Sequence, residues 1–192
     1  MHLIDRYLPT YHFSETHARL VSAPPAAILA AVAAYRAETD WFFRVMIRLR
    51  ESPARLVGRR DAGRAPFNLD AFTLLARNEG EIVHGLIGRF WRLDFGRAPV
   101  ADGADFLAYD QGDAAKLALT FRTHPHSDGR TRLVTETRVA CPSRSARWKF
   151  TPYWYGIRPV SGLLRRRTLA AVARDSERSA CPARAATAAG SP

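Results

Sequence analysis

The last third of the chain constrains the fold most. Two runs of alternating side chains, Lys116–His124 and Thr131–Ala140, flank Ser127-Asp128-Gly129, and a long aromatic segment from Ser143 to about Arg174 follows directly. In the first run Leu117, Leu119 and Phe121 point one way, and Lys116, Ala118, Thr120 and Arg122 the other. In the second, Leu133, Thr135, Thr137 and Val139 share a face, with Arg132, Val134, Glu136 and Arg138 opposite. This pattern predicts an antiparallel hairpin in a sheet with one apolar face and one solvated, charged face. Ser143 is placed to cap the helix that follows. Phe150, Trp154, Ile157, Val160 or Ser161, and Leu164 keep helical spacing, and Pro159 is expected to kink the helix.

Upstream, Tyr11–Ser22 reads as a strand with Phe13, Glu15, His17, Arg19 and Val21 on one side. Pro24-Pro25 opens an alanine-rich helix over Ala26–Arg36. Asp40 is placed to cap a second helix from Trp41 to about Arg50, and Gly58–Pro66 reads as a polar turn region. Phe72–Arg77 and Glu81–Arg92 read as strands joined at Asn78-Glu79-Gly80, with Gly85 and Gly88 marking a bend. Phe95–Asp113 reads as irregular. The order of elements predicts an α+β helix-grip fold: a curved antiparallel sheet wrapped around a long C-terminal helix, with two short helices after the first strand. One domain over residues 1–178 is expected, and an Ala/Pro-rich disordered tail over 179–192.

Composition narrows the function classes. The net charge is +11, and arginine supplies 29 − 2 = 27 of the basic residues because Lys116 and Lys149 are the only lysines. Those arginines are spread along the chain, which favours a soluble basic surface over a nucleic-acid site. The densest run, Arg165-Arg166-Arg167, reads as a solvated helix face, with an anchor for an anionic membrane surface as the sharper alternative. Cys141 and Cys181 lie far apart and no CxxC pair is present, so a reduced, cytoplasmic setting is expected. The N-terminus carries no signal-like apolar region, and the longest apolar run, Ala26–Tyr35, is too short to span a bilayer. There is no G-x-S-x-G elbow, dinucleotide fingerprint or P-loop, and no cofactor is indicated. His124-Pro125-His126 lacks a third ligand, so no metal site is expected.

Local motifs sharpen the fold. Gly85-Leu86-Ile87-Gly88-Arg89-Phe90-Trp91-Arg92 resembles a G-x-x-G-x-F-W strand of bacterial members of the SRPBCC superfamily, the START-like, polyketide-cyclase-like and birch-allergen-like helix-grip proteins. Thr131–Val139 resembles their last strand. Ser145-Ala146-Arg147, Phe150, Tyr153-Trp154 and Ile157-Arg158-Pro159 resemble the opening of their final helix. The resemblance covers about residues 3–175. It implies an internal pocket for an apolar or amphipathic small molecule, lipids among them, and no universal catalytic residue.

On that basis the expected ligand-binding residues are Phe72, Leu74, His84, Leu117, Leu119, Phe121, Leu133, Thr135, Thr137, Tyr153, Trp154 and Ile157. His84 alternates with Ile82 and Leu86 and is a candidate acid or base for a cyclase-like enzyme acting on a polyketide-like or aromatic substrate, with Tyr153 or a threonine hydroxyl as the alternatives. No catalytic constellation accompanies it. The leading expectation is therefore binding, or transport, of a hydrophobic small molecule or lipid. A basic interaction module for nucleic acid or an anionic membrane stands behind both.

Overall fold

The computed structural model describes residues 1–35, 72–92 and 95–188, with side chains described as far as Cys181. Five antiparallel strands form one curved open sheet: β1 (Phe13–Val21), β2 (Thr73–Arg77), β3 (Glu81–Gly88), β4 (Ala115–Pro125) and β5 (Thr131–Ala140). Their order is β1-β5-β4-β3-β2, which leaves β1 and β2 at the edges. Among the described residues, four helices accompany them: α1 (Leu3–Tyr7), α2 (Pro25–Ala34), α3 (Gly103–Ala108) and α4 (Arg144–Ala188).

The β4–β5 hairpin forms as its alternation dictates, paired from Lys116↔Ala140 to Pro125↔Thr131. Its turn depends on Gly129, whose φ of +79° is open to glycine without steric cost. The His126 N–H donates to Arg130 O at 2.9 Å and closes the loop. At the far end of β5, Ser143 Oγ accepts the Ala146 N–H at 3.1 Å and caps α4.

α4 lies across the concave face and packs at two separate places. Near its start, Phe150 and Trp154 close on Phe13 of β1, with ring centroids 5.1 and 5.6 Å apart, and cluster with Leu86, Phe90 and Val139. About four turns further on, Leu169, Val172 and Ala173 pack on Leu119, Phe121 and Leu133 and on Ile28, Leu29 and Val32 of α2. Each large side chain enclosed in this way contributes about 1.5–3 kcal/mol. α2 begins at Pro25, one residue before the position read from the sequence, where a missing N–H costs nothing.

The convex face is not the solvated surface that its charged residues predict. α1 and α3 cover it, and Ile4, Tyr7, Leu8 and Phe106 pack on Leu75, Val83, Ile87 and Ala118. Glu81 accepts the Leu3 N–H at 2.8 Å, and Tyr7 Oη donates to Leu75 O at 2.8 Å, which pins α1 to the sheet. Glu136 and Arg138 are buried beneath α1 as an ion pair. Hydrogen bonding and charge pairing make this burial tolerable, so charge along a strand does not by itself mark a wet face.

Other boundaries differ from the sequence reading for identifiable reasons. β3 stops at Gly88 because the chain folds back there: the Arg89 N–H donates to Phe95 O at 2.7 Å. The segment read as irregular contains α3, capped by Asp102 Oδ1, which accepts the Ala104 and Asp105 N–H groups at 2.8 and 3.0 Å. α4 continues through Gly156, Pro159 and Gly162 to Ala188, so residues 179–188 extend the helix rather than leave it as a tail. The expected helix from Trp41 to Arg50 and the turn region Gly58–Pro66 lie outside the described residues.

Candidate functional site

Between the two apolar clusters that hold α4, a band of polar side chains crosses the concave face. β1 contributes Glu15 and His17, β5 contributes Thr135 and Thr137, β3 contributes His84 and α4 contributes Arg165. Register places them. Glu15 lies opposite Thr137 and His17 opposite Thr135, while Thr137 and His84 both pair with Leu119 of β4 from opposite sides. Gly162, one turn before Arg165, sits so close to β1 that an added Cβ would stand 2.9 Å from Glu15 Oε1 and 3.6 Å from His17 Nε2. This close approach sets the middle of α4 against the band.

Three atoms of the band are enclosed and lack a hydrogen-bond partner: His84 Nδ1, Thr135 Oγ1 and Arg165 Nε. Thr135 is only 1 % exposed. A hydroxyl buried in this way costs about 1–3 kcal/mol relative to a paired one. By contrast, Glu15 Oε1 is engaged by His17 Nε2 at 2.8 Å. Burial, together with the nearby charge of Arg165, holds the His84 pKa below that of a free imidazole, so His84 is neutral at neutral pH. Burial also pushes Arg165 down to about 10, against the opposing influence of Glu15 and Tyr35, and it stays cationic at neutral pH. The band can therefore offer a fixed cation, a hydroxyl and a neutral imidazole within apolar walls.

The expected ligand-binding residues separate into three groups. Leu119, Phe121 and Leu133 are buried in the cluster with α2 and α4. Trp154 is buried and Tyr153 half-buried in the aromatic cluster, where Tyr153 stands 5.5 Å from Phe150, and Ile157 is half-buried one turn on. Phe72 and Leu117 touch both clusters. Thr135, Thr137 and His84 form the band. Leu74 does not belong with them: it lies on edge strand β2 and is 52 % exposed, so it lines no interior wall.

Sequence reasoning missed Glu15, His17 and Arg165 as members of the band. The first two alternate with Phe13 and Val21, which was signal enough to turn them inward. Arg165 was hidden in a basic run, yet Ser161, Arg165, Thr168 and Val172 follow one helical stripe, and Thr168 and Val172 are buried. Arg166 is exposed and Arg165 half-buried, so the run does not present one basic face.

Other features carry less chemistry. Two open hollows of about 370 and 330 Å³ flank the segment Arg97–Pro99, the first reaching Gly85 and Leu86 of β3, and none of the residues lining them belongs to the band. Arg89 at the second is already paired with Asp113. His126 is bonded to Asp128 at 2.8 Å, and His124 stacks edge-on to His2 at 5.8 Å. Among the described residues, no three His, Cys, Asp or Glu side chains gather as a metal site, and no helix is long and apolar enough to cross a membrane.

No family model and no curated protein matches this chain. Among solved structures, it is similar to TTHA0849 from Thermus thermophilus, with 9 % identity and a TM-score of 0.28, over 89 % of this chain and 99 % of that one.

Proposed function

We propose that this chain binds an amphipathic small molecule between the concave face of the sheet and α4, in the manner of the SRPBCC proteins that its motifs resemble. One observation carries the reading: His84 Nδ1, Thr135 Oγ1 and Arg165 Nε, from three different elements of the band, are each enclosed without a partner. Apolar walls with a few convergent polar groups are the usual make-up of a small-molecule site. A folded chain does not gain stability from such orphans, so their retention supports a role outside folding. The free thiols of Cys141 and Cys181 are in keeping with a reducing, cytoplasmic setting.

Native mass spectrometry of gently purified protein tests the reading. A co-purifying or added apolar ligand, retained one per chain and lost on Leu119→Trp, is expected. Failure of the wild-type chain to retain any apolar probe overturns it.

A catalytic reading, cyclase-like action on an aromatic or polyketide-like substrate, has one observation in its favour. His84 is turned inward and kept neutral, the state a general base requires. Loss of turnover in His84→Gln with ligand binding intact would separate catalysis from carriage.

A further inference from the structure

Resting on that binder reading, we propose that the ligand is an amphipathic monocarboxylate. Its carboxylate group meets the Arg165 guanidinium, with Thr135 and His84 alongside, and its apolar part runs over the concave face.

The donor set selects the group. A guanidinium carries five N–H donors in a planar fork and no acceptor, and a carboxylate is the acceptor that matches two of them at once. Arg165 Nε is enclosed without a partner, and among the described residues the side chain forms no ion pair. Thr135 Oγ1 is a further unpartnered group on the same face and has a proton to donate. Neutral His84 supplies one N–H. Nothing in this trio is anionic.

Charge sets the valence. Glu15 is the carboxylate that the field of Arg165 reaches, and its Oε1 is already held by His17 beside Gly162 of α4. It stands close enough to disfavour a dianion such as a phosphate monoester, but its bond to His17 leaves the Arg165 fork free. One half-buried cation and one nearby, occupied anion fit a single negative charge. A neutral head group would leave the guanidinium uncompensated. The apolar part finds Leu86 and Trp154 on one side of the band and Leu119 and Phe121 on the other.

Isothermal titration of the full chain with decanoate and 2-naphthoate, each against its methyl ester, tests the assignment. For at least one pair, the acid is expected to bind about tenfold more tightly than the ester at pH 7.5. Arg165→Met is expected to erase that preference, bringing acid affinity down to that of the ester, while Arg166→Met at the exposed neighbour keeps it. Thr135→Val, close in shape and checked for folding by circular dichroism, is expected to weaken acid binding about threefold. Equal binding of acid and ester by the wild-type chain overturns the carboxylate assignment and leaves the binder reading standing, as does a preference that survives in Arg165→Met. Absence of binding by all four probes overturns both.

Discussion

Arg138 Nε donates to Glu136 Oε1 at 2.6 Å, between side chains that share the convex face of β5 and are only 9 % and 8 % exposed. The pair does not stand alone. Glu136 Oε2 accepts from Arg122 at 2.8 Å, and Arg138 Nη1 reaches Asp5 Oδ1 at 2.8 Å and Leu8 O at 3.1 Å on the N-terminal segment. Four charged side chains thus tie α1 to the sheet. Burial works against the charge on Glu136, yet the bonds from Arg138 and Arg122 outweigh it and hold its carboxyl below the usual range.

Removing one partner from this network leaves the others buried and uncompensated. Glu136→Gln is expected to destabilise the fold by about 3 kcal/mol, read as a lower urea midpoint with little change in slope. A midpoint within error of wild type would show that the network is relieved by water.

Stability is expected to fall in two steps as the solution is acidified. The first begins near pH 6.5, where an unfolded imidazole takes a proton that buried His84 resists because of its burial and the Arg165 charge. The unfolded state then binds more protons than the folded one, so stability drops as pH falls. The second begins below about pH 4. There Asp5, held down by its bonds to Arg138 and the His2 N–H, and Glu136 lose stabilisation that is complete above the unfolded carboxyl value and disappears as pH falls through the lower folded one. Urea midpoints across pH 3–8 read both steps. The first should shrink in His84→Gln, leaving the part due to His12 and His124, which burial also holds down, and the second should shrink in an Asp5→Asn, Glu136→Gln double variant, leaving the part due to Asp128 beside Arg130.

Two glycines are expected to respond in opposite directions to alanine. At Gly88 a Cβ would stand 2.8 Å from Phe95 O, a backbone atom that already accepts the Arg89 N–H. Gly88→Ala should cost about 1–3 kcal/mol through that forced shift. At Gly156, in the interior of α4, nothing lies within 4 Å of an added Cβ. Gly156→Ala should raise stability by about 0.5–1 kcal/mol. Thermal unfolding of both variants checks the contrast, and equal shifts would contradict it.

Thr135→Val is expected to stabilise the ligand-free chain by about 1 kcal/mol, because it removes a buried hydroxyl that has no partner. A destabilised variant, measured by urea unfolding, would show that the hydroxyl is satisfied.

The hairpin and the start of α4 were legible because their signals are local. Alternation, a glycine turn and a serine cap each act within a few residues. α1 and α3 were not legible. Helices of 5 and 6 residues are too short to be stable alone and form only because Glu81, Leu75 and Val83 receive them. The band was half legible. Thr135, Thr137 and His84 follow from strand alternation, whereas choosing Arg165 from three consecutive arginines requires the rotation of α4 on β1. Gly162 against Glu15 fixes that rotation, and the two residues are distant in sequence. Leu74 was misplaced because alternation reports a side and not its cover.

The helix that crosses the sheet is clamped at two places, by Phe150 and Trp154 near its start and by Leu169 and Val172 beyond its middle. The turns between these clamps are therefore released from holding the architecture together. Side chains from Ile157 to Ser161 can be exchanged with little strain on the scaffold, whereas Gly162, where a Cβ would stand 2.9 Å from Glu15 Oε1, has to stay small.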